Sequence, residues 1–278
     1  MTTPSANLQE IVEYRGVEGL VAAEVTNDDN NTGYVTGQVF AIAGVAEISK
    51  TTDSSNEARY YDNIPAVVVS NTSSDTVTIS VSAIPFDVLA MITGQNYDET
   101  TGALIEGPRD LKYFALGYKT KKTNGDEVYV WRYKGTFNIP DQTNSTENDS
   151  TDASGQELTY TGISTTHKFT KTGKGAKALV VDTSKGLADV SDFFEDVTTP
   201  DTLTANTAYT LTITQATNTT VSVMRNGTAL SSGASVYQGD VLTISVTGGS
   251  VTVDGTSFIS GDMHVVSGNV AVVSTASE

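Results

Sequence analysis

The alternation of apolar and polar residues along this chain predicts β-strands almost throughout. The clearest signal lies over 112–140, where two strand-like runs flank the pair Asn124-Gly125. Asn and Gly favour the positive φ angles of a two-residue type I′ turn, and both runs are rich in the aromatic and β-branched residues that suit a pleated sheet. The sequence therefore predicts a β-hairpin here.

An aromatic stripe runs along the second arm of this hairpin. Tyr129, Trp131 and Tyr133 occupy alternate positions, and the opposite face contains Val128, Val130, Arg132 and Lys134. Successive side chains of a strand point to opposite faces of its sheet. One face of this strand is therefore expected to lie in a core or an interface.

Other runs predict the remaining strands and one helix. Strands are expected at 12–28, 34–49, 64–70, 76–82 and 156–164, with a turn at 71–75. A helix is expected over 85–94, because Pro and Asp are typical of a first helical turn and Gly of a terminator. It would cover an open sheet edge or a barrel mouth. The side chains expected to face the sheet are Phe86, Leu89 and Ile92, or Val88 and Met91.

Polar segments interrupt this pattern. Residues 49–63 exceed the ~2–5 residues of an ordinary hairpin loop, and they expose the cluster Arg59-Tyr60-Tyr61. Two alternatives remain for them, a solvated loop and a segment that orders against a partner. Residues 141–155 contain few apolar side chains and predict a mobile loop, and residues 1–10 predict a loose terminus.

The character of the chain changes near Pro200. Fifteen of the sixteen Lys and Arg residues precede Asp201, and only Arg225 follows it. Short Thr-, Ser- and Val-rich strands are predicted beyond this point, with an Asn-Gly turn at 226–227, and they indicate an immunoglobulin-like β-sandwich. These strands lie at 209–215, 220–225, 240–246, 250–253, 263–266 and 270–274. We therefore predict two domains, 1–197 and 198–278.

The formal net charge of −17 and the absence of cysteine exclude several classes of protein. Sequence-independent binding of DNA requires clustered Lys and Arg, so we expect none. Disulfides and thiolate zinc sites cannot hold the fold. No apolar run reaches the ~18 residues of a membrane span, and the first residues lack an apolar signal region. We expect no membrane contact and synthesis in the cytoplasm.

No residue pattern predicts catalysis or a cofactor. His167 and His264 lie in different predicted domains, so neither a histidine triad nor a two-histidine metal site is expected. The Gly-Lys-Gly at 173–175 lacks the flanking residues of a phosphate loop and reads as a basic turn. Residues 28–33 copy the start of a calcium loop, but Val39 stands where its final glutamate is required.

Several spaced segments together resemble one protein family. They are RGVEGL at 15–20, YYDN at 60–63, ITG at 92–94, ALGYK at 115–119 and WRYKGTF at 131–137. In this combination they resemble the phi13-type tail tube family, the major tail protein of long, non-contractile-tailed phages of Gram-positive bacteria. The resemblance covers about residues 10–195. The C-terminal sandwich resembles an immunoglobulin-like extension that members of this family often carry.

The resemblance implies a mainly β fold, with a tail-tube β-sandwich or barrel, one short flanking α-helix and the immunoglobulin-like sandwich. It implies a structural protein of the virion tail, not an enzyme, that forms hexameric rings stacked into a tube. Genomic DNA would pass through a negatively charged lumen without specific binding. The implied partners are further copies of this chain, the tape measure protein and the tail terminator protein. The C-terminal domain would lie outside and contact host-surface glycans weakly or not at all.

The resemblance also assigns residues to assembly. By position, an inter-ring assembly loop contains Ser49, Lys50, Asp53, Glu57, Arg59, Tyr60, Tyr61 and Asn63. A ring-forming hairpin on the inner wall contains Tyr113, Tyr118, Asn124, Gly125, Tyr129, Trp131 and Tyr133. The field of an acidic lumen extends ~8 Å at physiological salt. We therefore expect three lysines beside the hairpin turn to form salt bridges or to lie at the rim, namely Lys119, Lys121 and Lys122.

Three other functions remain as alternatives. A secreted or cell-surface adhesin or carbohydrate-binding protein would fit the acidic, Thr-rich strands, although the sequence shows neither a signal peptide nor an anchor. A carbohydrate-active enzyme would need an acid/base pair, which no flanking pattern singles out among the many carboxylates. A secretion-system tube uses a related ring fold and fits the same composition.

Overall fold

A computed structural model describes residues 12–61, 63–142 and 155–277 of the protein. In these residues regular structure is almost entirely β, with one short α-helix, which confirms the predicted fold class. The predicted loose terminus and most of the predicted loop at 141–155 lie outside the described residues. No helix in the described part is both apolar enough and long enough to cross a membrane.

The N-terminal elements form one large sheet and a small hairpin. The sheet order is β2-β1-β8-β9-β11-β5-β4, with β3 on β1, β12 on β9 and β10 on β11, while β6 pairs with β7. The elements are β1 (Tyr14–Asp29), β2 (Gly33–Thr36), β3 (Phe40–Ala41), β4 (Val45–Tyr61), β5 (Ile64–Val81), α1 (Phe86–Thr93), β6 (Asn96–Asp98), β7 (Ala103–Ile105), β8 (Phe114–Lys122), β9 (Glu127–Phe137), β10 (Asp141–Gln142), β11 (Gln156–Ile163) and β12 (Ala178–Asp182).

The large sheet curls around a hydrophobic core on its inner face. Leu20 of β1 and Ile48 of β4 come from opposite sides of the sheet, yet both pack into the same cluster. Burial of each large apolar side chain stabilises the fold by about 1.5–3 kcal/mol. The centre of this core contains Val77, Ile79, Phe114, Leu116, Phe137, Leu158 and Tyr160.

A second core covers the outer face of β9. Trp131 and Tyr133 are fully buried there against Phe169 and Phe193. The indole Nε1 of Trp131 donates a 2.8 Å hydrogen bond to the carbonyl of Phe193, so the segment after β12 is held across the sheet. The predicted burial of the aromatic face is confirmed. The opposite face of β9 is buried as well, because the curled sheet encloses it.

The single predicted helix is confirmed as α1. Gly94 follows it with φ of 71°, and its backbone N–H bonds to the carbonyl of Ala90. This left-handed conformation is unfavourable for residues with a Cβ, which explains the glycine. Leu89 and Ile92 are buried in the inner core, but Phe86 is 54% exposed. Of the first set of side chains expected to face the sheet, Leu89 and Ile92 do so and Phe86 does not.

Two strand predictions are wrong in their bounds. The expected strand at 34–49 is divided into β2, β3 and the start of β4. Glycines stand at both breaks, Gly37 after β2 and Gly44 before β4. The expected turn at 71–75 does not form, because residues 64–81 make one continuous strand that pairs with β4.

The C-terminal part forms two further sheets that face each other across one hydrophobic cluster. The five-stranded sheet has the order β16-β13-β21-β18-β19, and the four-stranded sheet has the order β15-β14-β17-β20. The shared cluster includes Leu211 and Val272 from the first sheet and Val223 and Ile244 from the second. The strands of this C-terminal sandwich are β13 (Ala208–Thr214), β14 (Thr220–Arg225), β15 (Thr228–Leu230), β16 (Ser235–Tyr237), β17 (Val241–Thr247), β18 (Gly249–Val253), β19 (Thr256–Phe258), β20 (Met263–Val265) and β21 (Val270–Ala276).

The connection between the two parts packs on the N-terminal side. Leu203 contacts the outer core of the large sheet, and an isolated bridge joins Ala188 to Ala205. The backbone N–H of Asn206 also bonds to the carbonyl of Leu187. The predicted division between 197 and 198 stays a prediction, and these contacts place several residues after it against the first part.

Candidate assembly surfaces

A long hairpin arm extends beyond the large sheet. β11 pairs with β5 only from Asp75 to Val81, and in the described residues the part of β5 from Ile64 to Ser74 pairs with β4 alone. At about 3.3 Å per residue, this part of the strand spans roughly 35 Å. Ile64 and Val67 are 65% and 51% exposed on it. We refer to the described residues 53–61 and 63–74 as the hairpin arm.

The predicted assembly loop, residues 49–63, overlaps the first strand of this arm. The loop conformation expected for residues 49–63 is wrong, because residues 49–61 belong to β4, and Asn63 occupies the tip with φ of 64°. Ser49, Lys50 and Asp53 are exposed near the base of the arm. Their role in assembly stays a prediction. The other predicted side chains lie outside the described residues, namely Glu57, Arg59, Tyr60 and Tyr61.

A buried ion cluster holds the base of the arm. The carboxylate of Asp75 accepts a 2.9 Å hydrogen bond from Arg132 and lies 3.4 Å from the Lys177 ammonium and 3.9 Å from that of Lys50. Burial by itself raises the pKa of Asp75, but the hydroxyl of Thr52 and the three cations outweigh it and lower the pKa overall. The carboxylate is therefore ionised at neutral pH and fixes β5 to β9.

The predicted ring-forming hairpin occupies the middle of the sheet. β8 pairs with β1 on one side and β9 on the other, and the second edge of β9 is taken by β11 and β12. Neither strand therefore has a free edge over these pairings. Of the predicted side chains, Tyr118, Trp131 and Tyr133 are buried, Tyr129 is half-buried and Tyr113 is 45% exposed. The ring-forming role of this hairpin stays a prediction.

The turn of this hairpin contacts the C-terminal sandwich. The predicted type I′ turn is wrong, because Gly125 has φ of 92° but Asn124 does not have a positive φ. The N–H of Gly125 bonds to the carbonyl of Lys122, and the N–H of Lys122 bonds to that of Asp126, which makes a three-residue loop. The carboxylate of Asp126 accepts a hydrogen bond from the side-chain amide of Asn226, which belongs to the C-terminal sandwich.

The three lysines beside this turn form salt bridges, as predicted. The Lys119 ammonium lies 2.8 Å from a carboxylate oxygen of Glu18 and 3.0 Å from one of Glu127. Lys121 contacts the same two carboxylates, at 3.1 and 3.7 Å. Hydrogen bonds from the two lysines lower the pKa of Glu18. The third lysine, Lys122, pairs with Asp182.

A groove of ≈ 690 Å³ opens between β1 and β4, where the curled sheet does not close. Arg132 and Lys50 contribute positive charge to it, and the exposed Glu47 contributes negative charge. The Arg132 side chain is only 7% exposed, and within the described residues its Nε has no hydrogen-bond partner. We call this site the β1–β4 groove. Its apolar walls include Val17, Ile48, Tyr118, Val128 and Val130.

A second surface, both acidic and apolar, lies near the C-terminal end of β9, whereas the groove lies nearer to the start of this strand. Phe86, Glu106 and Ile139 line one shallow site there, and we call these residues the helix-end patch. Phe86 and Ile139 are 54% and 49% exposed, and Glu106 is exposed as well. Residues 86–110 contain five Asp or Glu and a single Arg. This surface is therefore negatively charged as well as apolar.

The residues that resemble cofactor loops have structural roles. Asp28 accepts hydrogen bonds from the ammonium of Lys134 at 2.6 Å and from the backbone N–H groups of Thr166 and His167 at 2.8 Å each. The Gly-Lys-Gly at 173–175 forms a turn that a bridge from Lys174 closes. In the described part of the chain, no group of three or more His, Asp or Glu is placed to hold a metal ion.

Comparison with known proteins identifies one family. The sequence model of the family described as phage tail tube protein matches residues 26–197, which is more than half of the chain. No curated protein matches the chain. The matched span contains the hairpin arm, the ion cluster at its base and the central strands β8 and β9. The C-terminal sandwich lies beyond it.

Proposed function

This chain belongs to the phage tail tube protein family, and we propose that it forms hexameric rings that stack into the tube of a long, non-contractile tail. The family makes it a structural, non-enzymatic protein of the virion tail, and proteins of this family polymerise. The finer assignment, to the phi13-type group from phages of Gram-positive bacteria, rests on the spaced segments described above.

The observation that supports assembly most strongly is the hairpin arm. An isolated two-stranded hairpin is at best marginally stable in water. The arm also exposes apolar side chains at Ile64 and Val67, and the outer edge of β4 has no partner strand among the described residues. Edges of this kind pair readily with other chains. The arm therefore docks on a neighbouring subunit of the tube.

The ion cluster gives the arm a fixed direction. Asp75 joins β5 to Arg132 of the central strand β9, and Lys177 donates a hydrogen bond to the carbonyl of Ser73 just beyond it. A rigid base reduces the entropy that the arm loses on docking. The β8–β9 hairpin contributes to ring formation through the sheet that it organises, since its own edges are occupied.

The charge of the chain suits a conduit for DNA. Repeated around a ring, a few lumen-facing carboxylates per subunit create a negative wall that repels phosphates. Lys119, Lys121 and Lys122 are paired with carboxylates of their own chain, so their charge is locally neutralised. DNA passes without specific binding. The tape measure and tail terminator proteins are the further partners, and the C-terminal sandwich lies outside, where it contacts host glycans weakly or not at all.

Electron microscopy of the purified protein tests this proposal. Rings and tubes are the expected result. A variant in which an Asn-Gly turn replaces residues 54–72 removes most of the arm and joins β4 to β5 near their base. This variant should keep a cooperative thermal transition but form no tubes. Tubes of normal length from the shortened protein would contradict the role of the arm. Monodisperse wild-type particles under all conditions would contradict tube formation itself.

A further inference from the structure

We propose that Asn226 is a site of spontaneous deamidation, and that this modification releases the C-terminal sandwich from the central hairpin. The modified residue becomes aspartate or isoaspartate without the action of an enzyme. The inference does not depend on tube assembly, since it concerns a contact between the two parts of a single chain. It rests on the different surroundings of two identical dipeptides in the folded protein.

Asparagine followed by glycine is the dipeptide in which deamidation is fastest. The backbone nitrogen of the glycine attacks Cγ of the asparagine, and glycine has no Cβ to hinder this approach. The chain contains two such dipeptides, Asn124-Gly125 and Asn226-Gly227. Both are exposed, and both asparagine side chains donate a hydrogen bond to the carboxylate of Asp126. The sequence alone therefore does not distinguish them.

The first dipeptide is protected by its hydrogen bonds. The N–H of Gly125 donates to the carbonyl of Lys122 at 3.0 Å, so the attacking nitrogen is engaged. The side chain of Asn124 is held at both of its polar atoms, because Nδ2 donates to the carboxylate of Asp126 and Oδ1 accepts from the backbone N–H of the same residue. Attack on Cγ requires these hydrogen bonds to break, so Asn124 reacts slowly.

The second dipeptide lacks this protection. In the part of the chain that the structure describes, neither the N–H of Gly227 nor Oδ1 of Asn226 makes a hydrogen bond. The side chain of Asn226 is held only through Nδ2, which donates to Asp126 at 2.7 Å. Opening of this one hydrogen bond therefore leaves Cγ of Asn226 free to meet an unengaged nitrogen, in a turn that water reaches.

The reaction consumes one water molecule and releases one ammonia molecule. A bond forms between the nitrogen of Gly227 and Cγ of Asn226, and the bond from Cγ to Nδ2 breaks, which leaves a cyclic succinimide. The proton of the glycine N–H leaves with the amide nitrogen as ammonia. Water then opens the ring, at Cγ to give aspartate or at the backbone carbonyl carbon to give isoaspartate.

The product brings two carboxylates together. Asp126 is only 7% exposed, and its oxygens accept from the amides of Asn124 and Asn226 at 2.7 Å each. A carboxylate at position 226 has no N–H to donate, and like charges at this distance in a partly buried site repel each other. The connecting segment still packs through Leu203 on the large sheet. The sandwich therefore gains freedom to move without unfolding.

Peptide mapping by mass spectrometry tests the reaction. The protein is incubated at alkaline pH, because the deprotonated glycine nitrogen is the nucleophile, and each rate is divided by the rate of the same residue in urea-unfolded protein. The peptide that contains Asn226 should gain one mass unit, and isoaspartyl methyltransferase should label it. Folding should slow Asn124 severalfold more than Asn226. Equal slowing of both residues, or an Asn226 that stays intact in the folded protein, would overturn the proposal.

A mimic of the product tests the consequence separately. Asn226→Asp introduces the carboxylate, and Asn218→Asp is the matched control, since Asn218 is also exposed, has φ of 66° and lies in the same sandwich. Small-angle scattering of the unpolymerised protein should give a larger radius of gyration for Asn226→Asp only, and thermal melting establishes that both variants fold. Aged wild-type protein should change in the same direction, in proportion to its deamidated fraction. Unchanged scattering of the aged protein, or of a folded Asn226→Asp variant, would overturn the release of the sandwich.

Discussion

Asn226 and Asp126 join the two parts of this protein through a hydrogen bond of 2.7 Å. Asn226 belongs to a turn of the C-terminal sandwich, and Asp126 follows the turn of the central hairpin. Asp126 also accepts a 2.7 Å hydrogen bond from Asn124 and is only 7% exposed. The hairpin that organises the large sheet therefore also holds the C-terminal sandwich in place.

Removing the side-chain amide of Asn226 should weaken the contact between the C-terminal sandwich and the central hairpin. The residue has φ of 49°, so Asn226→Gly preserves the turn while deleting the hydrogen-bond donor. A hydrogen bond to a charged group contributes about 1.5–3 kcal/mol. Small-angle scattering should show a larger radius of gyration for this variant. Asn218→Gly is the matched control, since Asn218 is also exposed and has φ of 66°. Equal scattering profiles for both variants would contradict the prediction.

Loss of the Arg132 guanidinium should destabilise the subunit strongly. Arg132→Met keeps most of the buried volume but leaves Asp75 without its closest cation. Breaking a buried ion pair from one side costs about 3–5 kcal/mol, and the free energy of unfolding measured in urea should fall by this amount. Lys177 and Lys50 would retain part of the attraction, so the lower end is expected. The second change Asp75→Asn should recover some stability. A single variant as stable as the wild type would show that the cluster is energetically neutral.

The stability of the subunit should fall in acid because Asp28 and Asp75 have lowered pKa values. Burial raises the pKa of Asp28, but Lys134 and two backbone N–H groups outweigh it and lower the pKa below 3.8. A carboxyl whose folded pKa is depressed contributes its full stability above the unfolded pKa and loses it as the pH falls through the folded value. Urea unfolding from about pH 5 to about pH 2 should show this loss. The Asp28→Asn variant should have a flatter profile, and an unchanged slope would contradict the assignment.

Gly135 should not tolerate a side chain. A Cβ at this position would overlap the ring of Tyr160 and the carbonyl of Thr161, both of which belong to the neighbouring strand. Overpacking of this kind typically costs about 1–3 kcal/mol, and Gly135→Ala should lower the melting temperature accordingly. Gly107 is the matched control, since a Cβ there meets no atom within 4 Å. Equal melting temperatures for both variants would indicate that β9 and β11 can separate at no cost.

Local sequence patterns were sufficient to predict the strands and the helix that have one buried and one exposed face. The β8–β9 hairpin, α1 and most strands of the C-terminal sandwich follow from alternation, from turn residues and from helix end signals. The Asn226-Gly227 turn was predicted correctly, and both residues have positive φ. The strands β12, β15, β16 and β19 were missed; each contains only three to five residues, although β20 is as short and was predicted.

The first strand of the hairpin arm was missed for a different physical reason. The strand expected at 64–70 is part of β5, but residues 53–61 of β4 are rich in polar side chains without apolar alternation, and such a sequence resembles a loop. The buried state of Arg132 was equally invisible, because its partner Asp75 lies 57 positions away and the two meet only when β5 and β9 enter the same curled sheet. Long-range pairing, not local propensity, decides both features.

The parallel pairing of β13 with β21 determines at which end of the C-terminal sandwich the strand β21 finishes. Leu211 lies opposite Val270 and Thr214 opposite Val273, so the polypeptide enters at the end near Asn226 and exits at the other. A strand of seven residues spans about 20 Å, so the end of β21 lies about this far from the hydrogen bond between Asn226 and Asp126. A peptide tag or fluorophore fused after Ala276 would therefore project away from the contact between Asn226 and Asp126.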